Sequence, residues 1–258
     1  MPIAFITGGS SGIGQALALS YLNSGWHVAL VARRLDAMQA WQQGLPKDLG
    51  TRVLALAADV CDPHSLVSAA QACIETLGLP DLVVANAGIS LGVDTREFED
   101  LAVMDLVLRT NVLGVAHSFH PFIAPMQARG HGTLVAVASV AGIRGLPGHA
   151  AYCASKAAVI SYAESLRGEM HDSGVRVVTL APGYVATPLT ARNRYPMPFL
   201  LSAEAFARRA RRAIDRGHGL RVVPWSMAWV TPVLRWLPDR LFDRLFRGQP
   251  RKQRHTTG

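Results

Sequence analysis

Short apolar runs alternate with longer amphipathic stretches over most of the chain. The apolar runs are bounded by glycine, proline or polar residues and are too short for helices, which is typical of strands buried in a parallel sheet. They cover residues 2–6, 26–32, 52–57, 82–85, 133–138, 175–180 and 220–223. Helical periodicity covers residues 15–22, 35–43, 63–76, 99–126, 150–171 and 203–216. This alternation of strand and helix predicts an α/β fold.

A glycine-rich loop joins the first strand to the first helix. It reads Thr-Gly-Gly-Ser-Ser-Gly-Ile-Gly over residues 7–14. Glycines let the backbone turn sharply and approach a pyrophosphate, whose charge the helix N-terminus then favours. The spacing Gly-x-x-x-Gly-x-Gly differs from the common dinucleotide fingerprint, and an ordinary glycine-rich turn is the alternative. The strand before the loop and the helix after it favour nucleotide binding. The candidate residues are Gly8, Ser10, Ser11, Gly12, Ile13 and Gly14.

Two arginines, Arg33 and Arg34, follow the second strand, roughly 20 residues after the glycines. An acidic side chain at this point would bind the ribose 2′-hydroxyl of NAD, whereas arginine accommodates the 2′-phosphate of NADP. Asp36 comes slightly later, in the first turn of the next helix. The pair therefore favours NADP(H) over NAD(H). The alternative is a solvated arginine pair at the start of a helix.

Three further strands end in polar or glycine-rich sequence. Asp59 and Val60 follow the third strand and suit an adenine site, although a loop or capping carboxylate is the alternative. Asn86, Ala87 and Gly88 follow the fourth strand, where they either bring backbone close to a cofactor or make a turn. The end of the sixth strand contributes Pro182, Gly183, Val185 and Thr187. Since ligands bind at the carboxyl edge of open α/β sheets, we expect these residues to surround one site.

The candidate chemistry lies at the fifth strand and the helix after it. Ser139 ends the strand, and Tyr152 and Lys156 are four positions apart near the start of the helix. Residues at this spacing share one helix face, so the ammonium is expected to lower the pKa of the phenol and suit it to proton transfer. The Ser139 hydroxyl could then hydrogen-bond a carbonyl oxygen. A solvated helix face is the alternative for the pair alone.

Asn111 interrupts the long helical pattern of residues 99–126. Asparagine is a poor interior helix residue because its side chain competes for backbone hydrogen bonds. We expect either a local helix distortion that presents a functional amide or an exposed surface asparagine.

The composition suits one large domain or two small ones, with 258 residues of which half are apolar. The three cysteines form no Cys-x-x-Cys pair, which suits a reducing compartment without structural disulfides, and we expect no metal site. The chain begins directly with strand-like sequence, so we expect no signal peptide. No apolar stretch is long enough to predict a membrane-spanning helix. A cytoplasmic protein is the expectation.

Together these motifs give the chain a family resemblance. The sequence resembles the short-chain dehydrogenase/reductase family, in its single-domain branch of about this length. The matching elements occur in the family's order and cover residues 1 to about 190. They are the loop 7–14, Asp59, Asn86-Ala87-Gly88, Asn111, Ser139, Tyr152-x-x-x-Lys156 and the segment 182–187. The family's usual Asn-Asn-Ala-Gly begins with Ala85 here, which puts no chemistry in doubt.

The resemblance implies a role for each catalytic candidate. Tyr152 would be the acid/base, and Lys156 would lower its pKa and hold the nicotinamide ribose hydroxyls. Ser139 would bind the substrate oxygen. Asn111 would hold a water that links Lys156 to solvent.

The resemblance also implies a fold and a cofactor arrangement. The expected fold is a Rossmann-like, doubly wound sheet of seven parallel strands flanked by helices, assembled as a homodimer or homotetramer. Ile13 would lie against the cofactor, and Asp59 and Val60 would lie near the adenine. Thr187 would lie near the carboxamide.

The C-terminal quarter differs from the rest of the chain in charge. The formal net charge is +8, but residues 1–190 carry 11 Lys/Arg against 14 Asp/Glu, and residues 191–258 carry 15 against 4. Aromatic and aliphatic residues alternate with arginines over residues 225–247, which is typical of an interfacial helix. The hypothesis is peripheral binding to the inner face of a membrane; packing on the protein or on a partner subunit is the alternative. Pro232 and Pro238 are expected to break any long helix here. No nucleic-acid recognition module appears.

These observations predict a domain plan and a function. Residues 1–224 would form the NADP-binding catalytic domain, with a substrate loop at about 184–200, and residues 225–258 a C-terminal extension. Residues 89–98, 140–149 and 184–200 would shape the substrate site. The predicted activity is NADP(H)-dependent interconversion of a carbonyl and an alcohol on a lipophilic small molecule. The alternative is an NADP(H)-binding sensor or interaction module without turnover, which would need neither the serine nor the tyrosine.

Overall fold

A single parallel sheet organises the protein, as seen in a computed structural model. The structure describes residues 1–191, 193, 196–217, 219–247, 252 and 254, without the side chains of 230–232 and 234. The strands are β1 Ile3–Thr7, β2 His27–Ala32, β3 Val53–Ala57, β4 Leu82–Ala85, β5 Gly132–Val137, β6 Val175–Pro182, β7 Val185–Ala186, β8 Leu201–Ser202 and β9 Gly219–Val223. Seven of them pair in the parallel order β3-β2-β1-β4-β5-β6-β9, and β7 pairs with β8.

Helices cover both faces of this sheet. They are α1 Gly12–Leu22, α2 Leu35–Gln43, α3 Lys47–Gly50, α4 Pro63–Leu77, α5 Asp100–Leu108, α6 Gly114–Arg129, α7 Ala150–Glu169, α8 Ala203–Arg216, α9 Trp225–Trp236 and α10 Asp239–Phe246. Neighbouring residues of β1 point to opposite faces. Phe5 joins a core with α4, α6 and α7, and its ring centroid lies 4.8 Å from that of Phe122. Ile6 joins a second core with α1, α2 and α8. Burial on both faces explains why the strands read as unbroken apolar runs.

The strand order places a crevice at the carboxyl edge of the sheet. From β1 the chain adds β2 and β3 on one side, and from β4 it adds β5, β6 and β9 on the other. The loops after β1 and β4 therefore diverge, and ligands bind at such switch points. The predicted fold class, a Rossmann-like sheet of seven parallel strands flanked by helices, is confirmed.

Two local features lie outside the predicted elements. A short helix, α3, precedes β3, and the predicted substrate loop contains β7, which pairs with β8 just beyond that loop. Both are too short to give a hydrophobic period, so the sequence pattern could not reveal them.

Helix α9 corrects one expectation, because Pro232 does not end it. A proline removes one donor and displaces one carbonyl, which bends a helix without obliging it to stop. Contacts hold both ends of α9: Met227 is buried, and Arg235 Nη1 donates to the Ile143 carbonyl oxygen at 3.0 Å. Pro238 does lie at a break, immediately before α10.

Candidate active site

A cleft with a volume of about 480 Å³ opens at the carboxyl edge of the sheet, lined by residues that follow six of its strands. Most residues singled out from the sequence line it. They are Gly8, Ser10, Ser11, Gly12, Ile13, Arg33, Arg34, Asp59, Val60, Asn86, Ala87, Gly88, Ser139, Tyr152, Lys156, Pro182, Gly183, Val185 and Thr187. Gly14 and Asn111 are buried and do not line it.

The glycine loop is packed tightly against the end of β4. Gly8 has a φ of 71°, and a Cβ there would lie 2.7 Å from Nδ2 of Asn86. The Asn86 amide donates to the Thr7 carbonyl oxygen at 2.9 Å, and the Thr7 hydroxyl accepts from the Asn86 backbone N–H at 3.1 Å. A Cβ at Gly14 would collide with the carbonyl oxygen of Gly8. The glycines thus allow the two strand ends to meet, and Asn86 fastens them.

The start of α1 suits a phosphate group. Ser11 occupies the N-cap position but makes no capping hydrogen bond, and the first turn of the helix carries no acidic residue. Free N–H groups at a helix N-terminus attract anions. At the adjoining end of β2, Arg33 and Arg34 are exposed, and Arg34 Nη2 donates to the Ser10 hydroxyl at 3.1 Å. This set of hydroxyl, amide and guanidinium donors fits a phosphorylated dinucleotide.

Asp59 is a loop carboxylate that also lines the cleft, and its adenine-binding role stays a prediction. Its Oδ1 accepts from the Cys61 backbone N–H at 2.9 Å, so it is a loop carboxylate. It also lines the cleft beside Val60. The Val60 side chain fits closely over Gly114 on α6, where a Cβ would lie 2.9 Å from Val60 Cγ2.

Three polar groups meet on the cleft wall formed by β5 and α7. The Lys156 side chain is buried, and its Nζ donates to the Val137 carbonyl oxygen at 2.8 Å. The same Nζ lies 5.8 Å from the centroid of the Tyr152 ring. The Ser139 hydroxyl accepts from the Ala141 backbone N–H at 3.2 Å and hydrogen-bonds the Tyr152 phenol. The helical spacing therefore does place these groups together.

The expected lowering of the Tyr152 pKa by Lys156 is wrong. Burial raises the pKa of the Tyr152 phenol, and the hydrogen bond from Ser139 opposes that rise only in part. Burial also lowers the pKa of Lys156 to about 8. Both shifts favour the neutral forms, because removing a charge from water is costly. The spacing of two residues on a helix does not reveal how deeply they are buried.

Asn111 lies in a distorted helical turn, as one of its two interpretations predicts. Residues 109–113 form a π-helical turn between α5 and α6. The Asn111 Oδ1 accepts from the Ile89 backbone N–H at 2.8 Å, and its Nδ2 donates to the Ile89 carbonyl oxygen and the Ser155 hydroxyl, both at 2.9 Å. The amide thus ties the loop after β4 to α7 at Ser155, the residue before Lys156. Its water-holding role stays a prediction.

Comparison with known proteins identifies the family. The family model for short chain dehydrogenases matches residues 2–197. The chain belongs to the short-chain dehydrogenase family. An uncharacterized oxidoreductase of Myxococcus xanthus is 38% identical over 240 residues, covering 93% of this chain and 94% of that protein. An acetoacetyl-CoA reductase of Synechocystis is 36% identical, covering 74% of this chain and 75% of that protein.

Solved structures agree with this family. An alcohol dehydrogenase from the archaeon Thermococcus sibiricus, complexed with 5-hydroxy-NADP, superimposes with a TM-score of 0.78 at 25% identity. The superposition covers 86% of this chain and 96% of the alcohol dehydrogenase chain. A 3-ketoacyl-(acyl-carrier-protein) reductase from Brucella melitensis, complexed with NADH, gives 0.77 at 27% identity, covering 86% and 96%. This short-chain dehydrogenase is thus a member of an oxidoreductase family.

A second, largely apolar cavity of about 560 Å³ adjoins the cleft of this short-chain dehydrogenase. Ser139 and Tyr152 line both spaces. The C-terminal region closes one side of the cavity with Met227, Phe242, Phe246 and Lys252. The C-terminal segment therefore packs, at least in part, on its own domain.

One arginine, Arg144, connects this segment to the loop between β5 and α7. Arg144 Nη1 donates to the Leu237 carbonyl oxygen at 2.5 Å, and Nη2 bonds Asp239 Oδ1 at 2.8 Å. Its guanidinium carbon lies 4.0 Å from the centroid of the buried Phe242 ring. The segments expected to shape the substrate site ended at residue 200, so this wall was not among them. The run of aromatic residues after 225 was the sequence feature that could have indicated this wall, but it fits an exposed amphipathic face equally well.

Proposed function

We propose that this protein is an NADP(H)-dependent oxidoreductase that interconverts a carbonyl and an alcohol on a lipophilic substrate. One observation carries the proposal: Tyr152 and Ser139 line both the polar cleft and the apolar cavity. A cofactor in the cleft and a substrate in the cavity would meet at these two hydroxyls. A binding module without turnover needs no such meeting point.

Each catalytic residue then has a defined task. The Tyr152 phenol, kept protonated at neutral pH because burial raises its pKa, donates its proton to the carbonyl oxygen in reduction and receives it back in oxidation. Ser139 hydrogen-bonds the same oxygen. Lys156 would hold the ribose hydroxyls of the cofactor, and Asn111 keeps the loop after β4 in position. When bound, NADP(H) supplies or accepts the hydride.

The activity is tested by a screen of NADPH consumption over aldehydes, ketones, steroids and acyl carbonyls. With any substrate found, Tyr152→Phe should lower kcat by roughly 100-fold or more while leaving the Kd for NADPH within about twofold. Tyr162→Phe on the same helix is the matched control. Unchanged turnover in Tyr152→Phe would contradict the mechanism. NADPH binding without turnover of any compound would favour the sensor.

The preference for NADP(H) rests on Arg33 and Arg34, which offer cationic donors at the end of β2 beside Ser10. The double variant Arg33→Ala/Arg34→Ala should raise the KM for NADPH by roughly 10- to 100-fold and leave the KM for NADH nearly unchanged. Arg209→Ala, which removes an exposed arginine from α8, is the control. A wild-type preference for NADH would overturn the role given to the two arginines.

We further propose that α9 and α10 rest on an anionic membrane surface at the cytoplasmic side. Trp225, Trp229 and Trp236 are 73%, 74% and 85% exposed and lie with exposed Val233 along one stripe of α9. No helix in the described part of the chain has the length and apolar character needed to cross a bilayer. Exposed tryptophans beside arginines suit the headgroup region instead.

Flotation with liposomes tests this surface. Wild-type protein should float with vesicles rich in phosphatidylglycerol, and the double variant Trp229→Ser/Trp236→Ser should remain in the dense fraction. Absence of flotation would refute the membrane proposal. Analytical sedimentation of the same two proteins tests whether a second copy of this chain covers the stripe instead. A wild-type dimer that the double variant loses would assign the stripe to that second copy.

A further inference from the structure

Lys252 brings a positive charge into the wall of the apolar cavity. Its side chain lines the space that Ser139 and Tyr152 also line. Its Nζ donates to the Ser90 hydroxyl at 2.7 Å, which is a contact with a neutral group. In the part of the chain that the structure describes, no carboxylate lies within ion-pair distance of this ammonium.

An ion pair two residues later holds Lys252 in this place. Arg254 Nε and Nη2 donate to the two carboxylate oxygens of the buried Asp100, at 3.0 and 3.1 Å. Glu97 Oε2 lies 3.7 Å from Arg254 Nη1, and Arg254 also forms a backbone bridge with Gly92. Forked arginine–carboxylate pairs fix geometry well. Arg254 thereby occupies Asp100 and Glu97, and among the described residues Lys252 has no acidic partner where it lines the cavity.

The other titratable groups on the cavity do not neutralise Lys252. Arg144 is itself a cation and is paired with Asp239 at 2.8 Å. Burial lowers the pKa of His149, and the nearby Lys252 lowers it further, so His149 is kept in its neutral form. Tyr152 and Tyr184 keep their protons because burial raises the pKa of both phenols. The wall therefore carries one cation whose charge the described residues leave uncompensated.

We propose that Lys252 is a substrate-binding residue, and that the substrate has an apolar body with an anionic oxygen group such as a carboxylate. A desolvated ammonium among apolar walls gains most from an anion, through a charge-assisted hydrogen bond. The apolar walls accept the body of the same molecule. This substrate class rests on the proposed function, since it assumes that the reacting carbon lies at Tyr152.

Binding without turnover tests Lys252 separately from catalysis. Calorimetric titration of the full-length protein with decanoate and with methyl decanoate should show clear preference for the acid. Lys252→Met should raise the Kd for decanoate by roughly 10- to 100-fold and leave that for the ester within about twofold. Lys252→Arg should retain most of the affinity for the acid.

A surface variant separates a specific contact from general attraction. Arg240→Met removes an exposed charge from α10 without touching the cavity, and decanoate should bind it like wild type. An equal loss of decanoate affinity in Arg240→Met and Lys252→Met would overturn the proposal. Unchanged decanoate affinity in Lys252→Met would also overturn it.

Turnover then links the anion site to the reaction. Among ω-oxo fatty acids of increasing chain length, one length should give the lowest KM, and Lys252→Met should raise that KM with little change in kcat. The corresponding methyl esters should be insensitive to the substitution. Turnover that treats acids and esters alike would sink the anion site but leave the oxidoreductase intact. Selective decanoate binding without turnover of any compound would support the anion site but contradict the proposed oxidoreductase activity.

Discussion

The polar cleft at the sheet edge and the adjoining apolar cavity share two hydroxyls but are built in different ways. Backbone turns directly after the strands form the cleft, and the Asn86 amide holds two of these turns together. The cavity is closed by contacts between segments far apart in the chain. Ser90 meets Lys252 across 162 positions, and Arg144 meets Leu237 across 93. The core sheet therefore fixes the cleft, whereas surface ion pairs and aromatic packing fix the apolar cavity.

The largest expected effect is a difference in NADPH affinity when a methyl group is added to a glycine of the cleft or to a glycine of the cavity loop. Gly14→Ala should weaken NADPH binding by roughly 10- to 100-fold, because the new Cβ meets the Gly8 carbonyl oxygen and displaces the loop. Gly145→Ala, in the loop of the cavity, is the matched control, since a Cβ there meets nothing within 4 Å. Fluorescence titration with NADPH measures both. Equal NADPH affinity in the two variants would contradict a rigid cleft.

A smaller effect, on substrate KM, is expected from removing Arg144, whose contacts hold the C-terminal wall of the cavity in place. Arg144→Ala removes contacts to Leu237, Asp239 and Phe242, so the KM for a carbonyl substrate should rise about tenfold. Hydrogen exchange in α10 should become faster, because that helix has few other anchors. The Kd for NADPH should not change. Arg167→Ala, an exposed arginine on α7, is the control. A raised Kd for NADPH in Arg144→Ala would show that the two regions are coupled.

The smallest effect concerns the buried ammonium in the cleft. The folded protein holds the pKa of Lys156 at about 8, against 10.5 for an ordinary lysine. Between these values the unfolded chain binds more protons, so this residue makes the free energy of unfolding rise with pH. From pH 8 to pH 9 the gain is about 1 kcal/mol. Lys156→Met should lack it, and Lys47→Met, at an exposed position, should keep it. Urea unfolding at the two pH values measures the difference; parallel curves for wild type and Lys156→Met would refute the shift.

Sequence pattern alone located the sheet and nearly all of the cleft. Each strand has an apolar run of the right length, and the residues after it carry the polar chemistry, so adjacency in sequence became adjacency in space. The glycine loop, Arg33, Asp59 and Asn86 all follow this rule. Ser139, Tyr152 and Lys156 were found for the same reason, because one strand end and one helix face hold them.

Only the tertiary structure decided how these groups are solvated and what closes the apolar cavity. Burial reverses the expected pKa of Tyr152, because a sequence spacing carries no measure of desolvation. The run after residue 225 reads as one amphipathic face, yet Phe242 is buried against Arg144 while Trp229 is exposed. An amphipathic period shows that a face must be covered. It does not show what covers it, because that depends on contacts between residues far apart in the chain.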